Sequence, residues 1–216
     1  GFSKPSQIQE KAIPVLLTGV DIIGQAQTGT GKTLAFGSVL LSKIEPANDK
    51  LPQAIILSPT RELAMQIHEG MNRIGKYNGS KIACVYGGSD IEKQIRTIKK
   101  GIDIIVGTPG RVMDLMRRKV LKLANIKFVV LDEADEMLNM GFVEDIETII
   151  SKTNPEHTTM LFSATMPEGI KKIAKNYMKP DYKHIQVKQK TITANTVKQY
   201  YFEVKQKDRF ETLCRI

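Results

Sequence analysis

The run Ala26-Gln27-Thr28-Gly29-Thr30-Gly31-Lys32-Thr33 follows the apolar, strand-like segment Val20-Asp21-Ile22-Ile23-Gly24, and no other stretch constrains the chain as strongly. A strand that ends in a glycine-rich turn, with a helix starting at about Lys32, gathers backbone N–H groups and a positive helix end at one point. Such a point suits phosphate. In that arrangement Lys32 reaches β- and γ-phosphates and Thr33 a Mg²⁺ ion. Ala26 stands where the general Gly-x-x-x-x-Gly-Lys-[Ser/Thr] pattern has its first glycine. On these residues alone, a Gly/Thr-rich turn with an exposed lysine stays open as the alternative.

The rest of the chain has the rhythm such a loop requires. Residues 7–17 place Ile8, Ala12, Ile13, Leu16 and Leu17 at helical spacing behind Ser6, a candidate N-cap. After the loop, 34–44 continues as a helix and Pro46-Ala47-Asn48-Asp49 breaks it. Short apolar runs recur at 54–57, 82–86, 104–106, 128–131 and 160–162, separated by helical periodicity at 62–74, 91–98, 111–116, 143–150 and 168–177. This alternation predicts an α/β domain with a mostly parallel central sheet and helices on both faces. Ligands of such sheets sit beyond the carboxyl ends of the strands. Five small or charged clusters follow strands and are expected on that one edge: Ser58-Pro59-Thr60-Arg61-Glu62, Gly87-Gly88-Ser89, Gly107-Thr108-Pro109-Gly110-Arg111, Asp132-Glu133-Ala134-Asp135 and Ser163-Ala164-Thr165.

With 216 residues and 41% hydrophobic content, one sizeable core can be filled. The net charge of +9 is unevenly spread. Residues 1–166 carry 20 Lys/Arg against 18 Asp/Glu, whereas 167–216 carry 12 against 5, so the excess lies mostly away from the loop. Charge alone therefore does not establish a nucleic-acid partner. Cys84 sits in an apolar run and Cys214 near the end, with no metal-ligand spacing, which fits a reducing cytosol and a cytoplasmic location. No apolar run approaches the ~20 residues of a membrane span, so no membrane partner is expected. The start, Gly1-Phe2-Ser3-Lys4, is no signal peptide and lacks an initiator Met.

Asp132 ends the apolar strand 128–131, a position from which a carboxylate holds Mg²⁺ directly or through water beside a phosphate loop. Glu133, next to it, can orient or deprotonate an attacking water. A solvated acidic helix start is the alternative. At this point the sequence resembles the DEAD-box RNA helicases, whose name spells residues 132–135. Gly1-Phe2, Pro5 and Ile8-Gln9 resemble the family's Q motif, residues 26–33 its motif I, and Pro59-Thr60-Arg61-Glu62-Leu63-Ala64 its motif Ia. Gly87-Gly88 is similar to the GG element, Thr108-Pro109-Gly110-Arg111 to motif Ib, and Ser163-Ala164-Thr165 to motif III. All occur in the family's order, and Ala26 is what this family carries there.

The resemblance implies a RecA-like P-loop domain that binds ATP and Mg²⁺. It implies that Gln9 reads the adenine edge, an amide offering donor and acceptor together. Residues 26–33 (Ala26, Gln27, Thr28, Gly29, Thr30, Gly31, Lys32 and Thr33) cradle the nucleotide, and Thr33 and Asp132 serve the metal. Lys32, Asp132 and Glu133 are implied in catalysis, with Ser163 and Thr165 linking the acidic cluster to domain closure through Asp135. Pro59, Thr60, Arg61, Gly87, Gly88, Thr108, Pro109, Gly110 and Arg111 are implied to meet RNA through its sugar-phosphate backbone. With no Trp and few clustered aromatics, a base-stacking platform is not suggested.

Residues 1–190 are expected to form the first domain and 191–216 an interdomain linker plus the start of a second RecA-like domain, with 199–204 as its first strand. That second domain is the expected partner and the source of arginine fingers. The tail Tyr200-Tyr201-Phe202-Glu203-Val204 resembles bacterial cold-shock-type members. Two other readings stay open: a DNA helicase or translocase of the same superfamily, which Gln9 and Asp135 oppose, and a nucleotide-switched RNA-binding module without unwinding, which intact Lys32 and Glu133 oppose.

Overall fold

The computed structural model describes residues 4–45, 51–187 and 200–215. The chain opens with α1 (Gln7–Leu17), started where Gln9 Oε1 accepts the Ser6 backbone N–H at 2.9 Å, half of a reciprocal cap. Ile8, Ala12 and Leu16 recur on one face of this helix and are buried. There follow β1 (Ile22–Gln25), α2 (Lys32–Lys43), β2 (Ala54–Leu57), α3 (Arg61–Ile74), β3 (Ile82–Val85), α4 (Ile91–Lys99), β4 (Ile104–Gly107), α5 (Pro109–Arg117) and β5 (Phe128–Leu131). The domain continues with α6 (Ala134–Asn139), α7 (Val143–Ile150), β6 (Thr158–Ser163), α8 (Glu168–Tyr177) and β7 (Lys183–Gln186).

The seven strands form one sheet in the order β3-β4-β2-β5-β6-β1-β7, and every pairing is parallel. Because strand side chains alternate, the sheet builds two cores. Ile22, Ala54, Ile56, Ile104, Val106, Val130, Met160 and Phe162 pack against α1, α2 and α3. Their neighbours Ile23, Ile55, Leu57, Ile105, Val129, Leu131 and Leu161 pack against α4 to α8. Each fully buried aliphatic side chain contributes about 1.5–3 kcal/mol, which is why the strand centres are apolar on both faces. The parallel arrangement also brings all five post-strand clusters to one edge, as their spacing predicts.

Two elements escape the periodicity. In β7 only Ile185 is buried, so as an edge strand it shows no alternation long enough to read. In α6, six residues make too short a helix for a 3.6-residue pattern. The segment 200–204, expected as a strand, carries none; a strand needs a neighbour for its hydrogen bonds, and none of the seven serves it. It is followed by a 3-10 turn (Gln206–Asp208) and α9 (Arg209–Arg215), whose side chains are largely exposed. The expected linker at 191–198, Gln199 and the Gly1-Phe2 pair lie outside the described residues.

Candidate functional site

Sheet order divides the edge into two territories. The ends of β5, β6 and β1 are adjacent and carry Asp132-Glu133, Ser163-Ala164-Thr165 and the glycine-rich loop, while the adjacent ends of β3, β4 and β2 carry Gly87-Gly88, residues 108–111 and residues 59–62.

In the first territory the loop leaves β1 with the Ala26 N–H donating to the Ser163 carbonyl at 3.0 Å. Gly31 caps α2 with φ 91°, in the left-handed region that favours glycine. A side chain there would also collide with the Gln9 amide, so the position is doubly restricted. Lys32, 5% exposed, is the first residue of α2, and its Nζ lies 3.3 Å from Asp132 Oδ1. Asp132, 2% exposed, receives the Glu133 backbone N–H at 3.1 Å. Burial pushes the Asp132 carboxyl above the ordinary carboxylate range, and the Lys32 ammonium opposes that rise. The ion-pair geometry is too loose for a good hydrogen bond, and Lys32 Nζ has no hydrogen-bond partner among the described residues. A buried ammonium with unused donors costs free energy until an acceptor reaches it.

That ammonium faces a cleft of about 300 Å³ lined by Thr28, Gly29, Gly31, Lys32, Thr33, Leu63, Gln66, Asp132 and Glu133. The donor set fits a polyphosphate: a buried ammonium with unused donors, a helix N-terminus and glycine-opened backbone. The Thr33 hydroxyl and the Asp132 carboxylate line the cleft as well, hard oxygen donors of the kind Mg²⁺ takes. Glu133 adopts φ 54°, ψ 52°, a left-handed conformation costing a residue with a Cβ about 1–2 kcal/mol. Its Oε1 accepts the Thr28 hydroxyl at 2.7 Å, so loop and acidic cluster touch directly. Gln9, 7% exposed, donates from Nε2 to the Gly31 carbonyl at 3.0 Å. With its Oε1 on Ser6, one donor and one acceptor site of this amide are used inside the chain, which fixes it against the loop.

Ser163 and Thr165 both meet Asp135. Asp135 Oδ2 accepts both the backbone N–H and the hydroxyl of Thr165, each at 2.8 Å. The Asp135 N–H donates to Ser163 Oγ at 3.2 Å, and Ser163 Oγ donates to the Thr165 carbonyl at 2.7 Å. Burial acts to raise the Asp135 pKa, but the Thr165 and Ser163 hydrogen bonds outweigh it and hold the carboxyl below its usual range.

In the second territory, the Thr60 hydroxyl accepts the Leu63 N–H at 3.2 Å and so starts α3, which places Arg61 at its exposed tip. The Arg61 guanidinium lies 4.9 Å from the centre of the Tyr86 ring, within cation–π range. Gly88 has φ 75° in the turn after β3, and Pro109 opens α5 behind Thr108. Arg111 points inward. Its Nη1 donates to Gln94 Oε1 at 2.8 Å, and Nη1 and Nη2 reach the Ser89 carbonyl at 3.4 and 3.3 Å. Gln94 Nε2 in turn donates to the Tyr86 carbonyl at 3.2 Å and to Ser89 Oγ at 2.5 Å. Arg111 therefore braces the Gly87-Gly88 turn through Gln94. Sequence reasoning passed over Gln94 and Tyr86. The available signal was a glutamine beside Ile95 on the apolar face of α4, and an aromatic side chain at the end of β3.

A DEAD/DEAH box helicase family profile matches residues 6–173. The chain belongs to the DEAD/DEAH box helicase family. Over all 216 residues it is 52% identical to the DEAD-box ATP-dependent RNA helicase CshA of Streptococcus pneumoniae, covering 41% of that protein, and 50% identical to the CshA of Bacillus subtilis, covering 43%. The chain thus spans less than half the length of these curated relatives. The crystal structure of a DEAD box protein from Methanococcus jannaschii superposes with TM-score 0.83 at 46% identity, over 100% of this chain and 57% of that one. A hypothetical ATP-dependent RNA helicase from Sulfolobus tokodaii gives TM-score 0.79 at 37% identity over 87% of this chain and 54% of its own. This DEAD-box domain accordingly has the RecA-like fold.

Proposed function

We propose that the chain is the ATP-binding half of an ATP-dependent RNA helicase and that it holds RNA by the sugar-phosphate backbone. The observation that carries this reading is the buried, unsatisfied Lys32 ammonium facing a glycine-opened cleft beside Asp132 and Glu133. Residues 26–33 bind the β- and γ-phosphates, with Lys32 exchanging its loose approach to Asp132 for charge-assisted bonds to phosphate. Gln9 positions the loop and turns its remaining amide capacity to adenine. Mg²⁺, when bound, neutralises charge developing on the transferred phosphoryl group. Thr33 and Asp132 are the residues that would hold it. Glu133 orients the attacking water and takes its proton, for which it must leave the Thr28 hydroxyl. Asp135, Ser163 and Thr165 couple the acidic cluster to the position of β6.

Arg61, the Gly87-Gly88 turn and Thr108 to Gly110 offer a guanidinium and close-approach backbone to RNA phosphates, with Arg111 supporting the turn from beneath. Closure by a second RecA-like domain, for which residues 191–216 provide the linker and first segment, brings arginines to the γ-phosphate. The test is titration of a fluorescent ATP analogue. Lys32→Ala is expected to weaken ATP and ADP binding by roughly 2 kcal/mol or more, the worth of one charge-assisted hydrogen bond in a buried site. Unchanged affinity for both nucleotides would overturn the assignment of the cleft.

A further inference from the structure

Helices α5 and α7 both descend from the edge that carries the nucleotide and RNA residues to the opposite, N-terminal edge of the sheet. There, between α5, α7 and residues 121–124, opens a cavity of about 480 Å³. Met113, Met116, Leu121 and Leu123 supply its apolar lining, and the exposed cations Arg117, Lys122 and Lys152 stand around it. A second cavity of about 170 Å³ adjoins it, shares Leu121 and Lys122, and extends past Val120 to Ile98 and Lys99. No carboxylate among the described residues lines either cavity. Among the described residues no ion pair engages Arg117, Lys122, Lys152 or Lys99, whereas the neighbouring Arg118 is held by Asp114 at 3.0 Å.

We infer that this groove docks an acidic segment of a partner protein, one that presents large apolar side chains on a single helical face. Unneutralised cations around an apolar trough match carboxylates flanking buried leucine or phenylalanine. The two methionines suit the role because thioether side chains adapt to irregular apolar surfaces. A nucleic acid fits less well, since no aromatic ring among the described residues lines the groove to stack a base. The groove runs from the middle of α5 toward the edge opposite Lys32 and Arg61, and the inference does not depend on the function proposed for those residues.

The experiment is methyl NMR on the whole chain with ¹³C-methyl methionine, titrated with a synthetic amphipathic helix bearing leucine on one face and glutamate elsewhere. Resonances are assigned through Met113→Leu and Met116→Leu. The expected result is that Met113 and Met116 shift while Met65 and Met71 do not, and that binding weakens as salt rises. Lys122→Glu combined with Lys152→Glu, both exposed positions that preserve the fold, should weaken the peptide at least tenfold. Three results would overturn the inference: unmoved Met113 and Met116 methyls, equal binding of a scrambled peptide of the same composition, or displacement of the peptide by a uridine oligonucleotide from the same methyls.

Discussion

Glu133 is held by two constraints that bear on its chemistry: a left-handed backbone and a hydrogen bond from Thr28. Glu133→Gln keeps the shape and still accepts the Thr28 hydroxyl, so Mg-ATP binding is expected to survive. In the protein with its second domain, hydrolysis should fall by the order of 10² or more, as for loss of a general base. Single-turnover kinetics separate the two steps, and an equal loss of binding would move Glu133 to the metal or the fold. Asp135 carries a different prediction. Its folded pKa is depressed, so its contribution to stability is present above the ordinary value of 3.8 and is lost as pH falls through and below it. Urea midpoints of the native chain and Asp135→Asn should differ most at neutral pH and converge in acid. A gap that stays constant from neutral pH to below 3.8 would show that hydrogen bonding to the ionised form is not what Asp135 contributes.

Between elements, the turn that follows β3 depends on a contact between α4 and α5. Gln94 and Arg111 join these helices across that turn. Gln94→Leu keeps the volume but removes the shortest hydrogen bond of Arg111, leaving the guanidinium only its long contacts to the Ser89 carbonyl, and strips the turn of both bonds from Gln94 Nε2. It should therefore weaken RNAs of different sequence about equally, while ATP-analogue binding is unchanged. Filter binding on homopolymers of equal length checks this, and a selective loss for one sequence would contradict it. This level is also where the sequence stops being legible. Long apolar strands and amphipathic helices announce themselves because burial sets their periodicity, and residues 132–135 and 26–33 announce themselves by chemical type. Gln94 does not, because its purpose is set by partners five and eight residues before it and 17 after it. The reversed orientation of Arg111 is invisible for the same reason: a motif fixes the residue type, but which way a guanidinium points is decided by the acceptors that folding brings near.

Across the whole molecule, the phosphate cleft has Lys32 as its only lining cation among the described residues. A transferred phosphoryl group needs more charge neutralised than one ammonium supplies, and an arginine finger is worth about 10³ to 10⁵ in rate. Steady-state phosphate release at saturating ATP and RNA should therefore be negligible for this chain alone and rise by at least about 10³ when the second domain is joined to it. Comparable turnover by the chain alone would mean that its own residues complete the site. The strand order says something else about how such a machine is put together. The nucleotide side, β5-β6-β1, and the side bearing Arg61 and Gly88, β3-β4-β2, meet along one ladder, where Ala54, Ile55, Ile56 and Leu57 pair with Phe128, Val129, Val130 and Leu131. From one described strand to the next, the chain crosses that seam twice, once between β1 and β2 and once between β4 and β5. The residues proposed to face RNA thus belong to one uninterrupted length of chain, a cassette inserted between the two pieces of the frame that carries the proposed nucleotide site.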